Sequence, residues 1–304
     1  MNKTMNGWAS GLLGIIIFSG SLPATRVAVQ GFDPVFLTVA RAAIAGILAI
    51  LLLTAFRERR PERRDIAGLF IVASGVVVGF PLLTALALEH VTSAHSIVFI
   101  GLLPLATAIF GVARGGERPR PAFWLFSVMG SALVVGYATS QGMAASPRGD
   151  LLMLGAIVVC GLGYAEGASL SRRMGGWQVI SWALVLSLPV MLPLALLTLP
   201  AHFEHVNAPA WVGLGYVSVF SMLVGFVFWY RGLALGGTAT VGQLQLLQPF
   251  FGFALAAVLL HEPVTAGMMA VTAAIILCVA GAKLSAGRKT AQAKDPTARR
   301  SSTS

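Results

Sequence analysis

"LLQPFFGFALAAVLLHEPVTAGMMAVTAAIILCVAG" (residues 246–281) repeats the pattern of "GLLPLATAIFGVARGGERPRPAFWLFSVMGSALVVG" (residues 101–136). At a constant offset of 145, Pro104, Glu117 and Gly136 become Pro249, Glu262 and Gly281. Leu88, Ala94, Leu102 and Val134 likewise become Leu233, Ala239, Leu247 and Val279. Single identities mean little in so biased a composition, but an ungapped Pro, Glu, Gly spacing marks an internal repeat. Each copy reads as an apolar run, a short break holding the Glu, and a second apolar run.

The composition says which solvent those runs face. Of the 304 residues 57% are hydrophobic and 11% charged, with a mean hydropathy of +0.83, whereas soluble domains carry about 25% charged residues. A soluble core that apolar would leave large greasy patches in water; a bilayer accepts them. A hydrocarbon core of about 30 Å needs about 20 apolar residues per helix. Ten such runs lie between charged or Pro/Gly-rich breaks: 7–29, 34–56, 66–88, 93–113, 121–140, 151–170, 177–199, 209–230, 237–260 and 264–284. The expected fold is therefore all-α, a polytopic membrane protein of ten transmembrane helices.

Charge orients the spans. With both termini inside, 18 of the 21 basic residues fall in inner loops and tails, as the positive-inside rule requires. The exceptions are Arg26 and Arg148 near the outer side and Arg41 within span 2, and the outer loops hold Asp33, Glu89, Asp150, Glu204 and Glu262. Because every second loop obeys the rule, the count and the orientation support each other: an inner (plasma) membrane protein with cytoplasmic termini. Trp8, Trp124, Trp177, Trp211 and Trp229 lie near span ends, where indoles prefer to sit. Reading span 1 as a cleaved signal peptide, from Lys3 and the small residues near Ser21, would reverse the parity that the arginine loops confirm. The net charge of +10 thus serves topology and anionic-lipid contact through "RERRPERRD" (57–65) rather than nucleic acid. Cys160 and Cys278 sit in mid-run and suggest neither a disulfide nor a cofactor site.

Five spans per copy is an odd number, so the second copy enters the membrane from the opposite side. The units expected are residues 1–145 and 146–285, two inverted five-helix repeats, followed by a disordered tail over 286–304. Inverted repeats recur in secondary transporters, with the binding site near the bilayer midplane between the halves.

At these residues the chain resembles the EamA-type domains of the drug/metabolite transporter superfamily, over roughly residues 7–284. Arg41 in "LTVARAAIAGIL" is similar to an arginine often found in the second span of that family. "FSGSLPATRVAV" is similar to its Pro-containing first span, with Arg26 where a lysine is common. The second copy, "WALVLSLPVMLPLALL", lacks the charge. The resemblance implies a carrier of small organic solutes (amino acids, metabolites or drugs), driven by protons or another gradient or facilitative, and often an exporter. Export is the expected direction, with import of the same solute class as the alternative. A channel filter is not apparent, nor is an HExxH, GxSxG or paired-aspartate motif for a membrane-embedded enzyme.

Candidate site residues follow from polarity inside the spans. On a helical wheel Gln245 and Gln248 share a stripe with Thr238 and Gly252, while Gln243 faces the other way. Pro249 cannot donate to the carbonyl of Gln245; with Pro104 it marks a kink in each copy. Arg41 lies about 10 Å along span 2 from Pro34, too deep to be there without a reason. It either holds a solute carboxylate, pairs with Asp33, Glu89 or a backbone carbonyl, or snorkels outward. Thr38 shares its face, and Tyr230 beside Trp229 is a candidate for stacking on the solute or for anchoring at the interface.

Glu166, about 9 Å inside Arg172, and His95, near the start of span 4, are candidates for coupling or proton relay, against polar-vestibule and interhelical roles. Gly163 and Gly167 form a GxxxG that favours close packing. His202, Glu204 and His205 lack a third helix-borne ligand, so no metal is expected. The partners expected are a small-molecule solute, membrane lipids and protons as coupling ion; no nucleic acid is expected, and monomer and homodimer stay open.

Overall fold

A computed structural model describes residues 3–115, 121–140, 146–236 and 242–292. The described residues are helical and contain no strand. Span 1 runs through Lys3–Ser19 and Ser21–Ala28, span 2 is Pro34–Ala55, and span 3 joins Arg63–Val72, Ala73–Gly79 and Phe80–Ala87. Span 4 joins Ser93–Ile100 and Leu103–Gly115, span 5 is Pro121–Ser140, span 6 Pro147–Met174 and span 7 Gly176–Leu197. Span 8 joins Ala208–Gly215, Tyr216–Val224 and Gly225–Gly236, span 9 joins Gly242–Leu247 and Gln248–Leu260, and span 10 is Ala266–Gln292. Among the described residues seven helices are long and apolar enough to cross a membrane, and Leu244–Leu260 and Ala266–Cys278 are shorter apolar helices. Leu151, Leu197, Val212, Val258 and Leu277 all stand exposed on the surface, as lipid-facing side chains do. Thr238, Glu117 and residues 293–304 lie outside the described residues, and the tail expected to be disordered from 286 is helical as far as Gln292.

The offset of 145 recurs in the backbone itself. Span 3 contains a π-helical segment over Ala73–Gly79 and span 8 one over Tyr216–Val224, which end at related residues. The Pro104 helix begins at Leu103 and the Pro249 helix at Gln248, again 145 apart. Each proline occupies the first turn of its helix, where a missing N–H breaks no helical bond. Packing follows the same two-fold: spans 2 and 7 pair across the axis, as do spans 5 and 10. Spans 1 and 8 pack as spans 6 and 3 do, and spans 1 and 9 as spans 6 and 4.

Glycines let these pairs approach. A Cβ on Gly75 would stand 2.4 Å from the carbonyl oxygen of Val159, and one on Gly163 would stand 2.8 Å from Val76 Cγ2. On the other pair, a Cβ on Gly232 would stand 2.6 Å from Gly11 Cα. That close seam buries Trp229 against span 1 at Gly14, so its indole is not part of the interfacial belt read from the sequence.

The two ends of the bundle are built differently. The basic end carries the 56–62 connection and the one-residue turn at Gly175, whose φ of +93° favours glycine. At the opposite end every even-numbered span starts with a side-chain cap. Asp33 accepts from Val35 N and Phe36 N, and Thr92 from His95 N. Ser146 accepts from Gly149 N, Asn207 from Ala210 N and Thr265 from Met268 N. Each cap satisfies a backbone donor that the helix leaves over.

Candidate functional site

A central cavity lies where the broken and π-helical segments meet, between spans 1, 2, 3, 4, 6, 8 and 9. Its walls include Val76 and Ser221, and Leu103 and Gln248, two pairs related by the repeat offset. In each pair the first half gives an apolar residue and the second a polar one. The cavity measures about 40 Å³ as room for water centres, which is space for roughly three waters. Drug-sized ligands occupy pockets of about 300 Å³ or more, so the cavity is too small for one as it stands.

Arg41 is the charged residue of the lining. Seven residues into span 2, it is 5% exposed, and its Nη2 donates to Ser221 Oγ at 3.3 Å. Ser221 Oγ lies 2.7 Å from Ser21 Oγ, with either hydroxyl able to donate. The Arg41 Nε has no partner, and among the described residues no carboxylate lies within ion-pair distance of the guanidinium. It does not turn outward to Asp33, whose carboxylate caps span 2. A buried guanidinium on one neutral hydroxyl is far from compensated, since burying an ion costs several kcal/mol.

Gln248 joins this lining, and its backbone carbonyl accepts from Ser19 Oγ at 3.1 Å. Gln245 is buried on the 3₁₀ segment Gly242–Leu247. Gln248 begins the α-helix that follows, so Gln245 lies one turn before it, towards the basic end, and is not in the cavity wall. The description covers the Gln243 backbone alone and, for Pro104, the helix start it marks. Thr38 is buried and donates to Pro34 O at 2.8 Å within its own helix.

Tyr230 is buried one step beyond the cavity. Phe18 and Tyr164 of the wall lie 4.8 and 6.1 Å from Phe226 by ring centroid, and Tyr230 lies 5.6 Å from Phe226 on the basic side. These rings close the cavity towards the basic end. Glu166 is half-buried, with Oε1 against Gly68 of span 3, and is not brought together with Arg41.

His95 lies elsewhere, at the opposite end of the bundle. Its Nε2 is 2.6 Å from Asp150 Oδ1 and its Nδ1 3.4 Å from Tyr137 Oη. Sequence reasoning missed Ser21, Ser221, Tyr164, Asp150 and Tyr137. For Ser221 a signal existed: it stands 145 residues after Val76, in a repeat already aligned. The described residues hold no cluster of three or more His, Cys, Asp or Glu side chains placed for a metal ion.

Two inverted five-helix halves around a central, mainly apolar cavity that holds one buried arginine define a membrane protein of the secondary-transporter architecture. The chain belongs to the EamA-like transporter family, whose profile matches residues 5–137 and 147–284. It is 68% identical to the uncharacterized transporter YdeK of Bacillus subtilis, over 93% of this chain and 99% of that one. It is 24% identical, over 80% of this chain and 81% of the other, to a Streptantibioticus cattleyicolor protein named a probable terminal-alkyne amino-acid exporter. A solved crystal structure at 19% identity shares the fold, with a TM-score of 0.65 over 91% of this chain and 98% of its own.

Proposed function

We propose that this transporter moves a small organic solute bearing a carboxylate across the plasma membrane by alternating access, in the outward direction. The observation that carries the reading is Arg41: a buried guanidinium in a two-fold cavity, with Nε unpartnered and one neutral hydroxyl on Nη2. A carboxylate accepts two parallel N–H bonds from such a group, and Ser21 and Ser221 stand ready to add hydroxyl contacts. Gln248 and Tyr164 then select the rest of the solute by hydrogen bonding and shape. The small cavity supports alternating access, because the solute must be enclosed and released by movement of the spans around it. The basic end faces the cytoplasm on the positive-inside rule, and the name of the Streptantibioticus relative favours export of an amino-acid-like solute.

Counterflow into proteoliposomes preloaded with unlabelled amino acids or lactate tests this, using ¹⁴C-labelled amino acids and lactate as probes. Saturable counterflow by at least one carboxylate is expected. Arg41→Gln reduces it about 100-fold or more, the scale set by breaking a buried ion pair. Passive conductance without counterflow overturns the carrier; counterflow unchanged in Arg41→Gln overturns the carboxylate seat.

A further inference from the structure

His95, Asp150 and Tyr137 are buried together outside the cavity, 6%, 8% and 4% exposed. His95 belongs to span 4 of the first half and Asp150 to span 6 of the second. Their contact ties the two halves together at the end opposite the basic one.

The repeat shows which ties at that end the scaffold needs. Glu262 accepts from Ser93 N at 3.1 Å, Ser93 Oγ at 2.6 Å and Ala94 N at 2.8 Å. Its counterpart at the offset of 145 is Glu117, and those of Ser93 and Ala94 are Thr238 and Ala239, so that sequence pattern is kept in both halves. The counterparts of His95, Asp150 and Tyr137 are Thr240, Met5 and Ala282. The repeat therefore puts no titratable group at any of the three equivalent positions, and the titratable trio is an addition to one end.

The chemistry of that addition is set by geometry. Asp150 at 2.6 Å holds a proton on His95 Nε2, which leaves Nδ1 as the acceptor facing Tyr137 Oη. A second proton is taken at Nδ1, and the tyrosine hydroxyl turns from donor to acceptor. Without that proton the buried cluster carries the net charge of one carboxylate; with it the charges balance in an imidazolium–carboxylate pair, which binds more strongly than a neutral donor.

The other charged groups at this junction are already engaged or turned outward. Glu262 is held by Ser93 and Ala94, Arg26 donates to Leu88 O, Arg148 is exposed, and Glu89 and His90 lie in the connection before span 4. Span 5 presents Tyr137, and residues 266–282 of span 10 carry no charged side chain.

We propose that His95, Asp150 and Tyr137 form a proton-binding site that holds the cavity shut towards the cell exterior when occupied. Ile100, five residues on from His95 and about 7.5 Å along the helix, lines the cavity, so parting spans 4 and 6 here opens the cavity. The closed state, with His95 2.6 Å from Asp150, gives an added proton a carboxylate partner that parting spans 4 and 6 removes, so occupancy of the site favours closure. In an exporter, an external proton then closes the outer end once the solute has left. The site rests on the alternating-access reading above.

Native Cys160 lines the cavity, and in a Cys278→Ala background it is the sole thiol. The experiment measures its modification by a membrane-impermeant methanethiosulfonate in right-side-out and inside-out vesicles at pH 6 and pH 8. From outside, His95→Gln and Asp150→Asn are expected to react about five-fold faster than the parent at pH 6 and at nearly the parent rate at pH 8. Taking each ratio at a single pH cancels the ionisation of the thiol itself. Tyr137→Phe, the milder variant, shifts the pH at which the parent closes. Glu262→Gln raises the rate by the same factor at both pH values.

Variant-to-parent ratios equal at pH 6 and pH 8, with Cys160 labelled from both sides, overturn the proton site and leave the carrier standing. Cys160 unreactive from both sides overturns alternating access and the proton site with it.

Discussion

The two ends of the bundle close the same cavity by different means. At the end opposite the basic one, five spans begin on side-chain caps and two cross-half ties use polar groups, the half-buried Glu262 on span 4 and the buried His95 with Asp150. At the basic end the halves meet through Arg173 with Asp65 at 2.7 Å and Gln178 with Glu58 at 3.0 Å, above the rings of Phe226 and Tyr230. In the proposed cycle, the end fixed by hydrogen bonds would respond to a change of charge or hydration, and the end closed by rings and an ion pair whose arginine is half-exposed to repacking of side chains. A pseudo-symmetric scaffold thus has asymmetric ends, because the symmetry resides in the backbone and the asymmetry in a few side chains.

The sharpest way to break this contrast is Glu262→Ala. It strips three hydrogen bonds from the start of span 4 and leaves two amides and a hydroxyl without their acceptor, so a loss of about 3 kcal/mol or more is expected. Thermal unfolding in detergent measures it. Gly75→Ala comes next, at about 1–3 kcal/mol, because the new Cβ meets a backbone carbonyl that cannot turn aside; the same assay reads it. Removing a cap with Thr92→Ala costs about 1 kcal/mol and shows as faster hydrogen exchange in the first turn of span 4.

The smallest effect belongs to the basic end. Arg173→Gln breaks a pair whose arginine is 49% exposed and costs about 1 kcal/mol or less. A cost for Arg173→Gln equal to that of Glu262→Ala would erase the distinction between the ends.

Much of this fold was legible because its rules are coarse. Apolar length and the basic loops delimit the spans, and Pro104, Glu117 and Gly136 with their partners 145 residues on reveal the repeat. Arg41 was legible as a charge too deep to be idle, and Gln248 as an amide beside a proline.

What was not legible depends on local helix geometry. A wheel at 100° per residue cannot place Ser221, which lies within a π-helical segment, nor the spacing of Gln245 and Gln248 across a 3₁₀-to-α junction. Neither "ASGVVVG" nor "YVSVFSMLV" carries a residue that announces the change. Asp150 reads as an outer-loop acid because the apolar run alone starts span 6 at Leu151, whereas the helix already begins at Pro147, capped by Ser146. Trp229 reads as interfacial, whereas span 1 covers it at Gly14; Tyr230, a candidate for stacking on the solute or for anchoring, packs against Gly167 and Gly176 of spans 6 and 7.

The paired π-helical segments carry one further consequence. A π turn is equivalent to one residue inserted into an α-helix. If the insertion were absorbed into regular α geometry, everything beyond it on the same span would rotate by about 100° relative to the part before it. In spans 3 and 8 that rotation would carry Val76 and Ser221 around the helix axis, turning one residue out of the cavity wall and its neighbour in. Each half would then hold a rotary joint at the height of Arg41, and a twist of span 8 would move Ser221 into or out of the cavity wall with no sideways displacement of the helix.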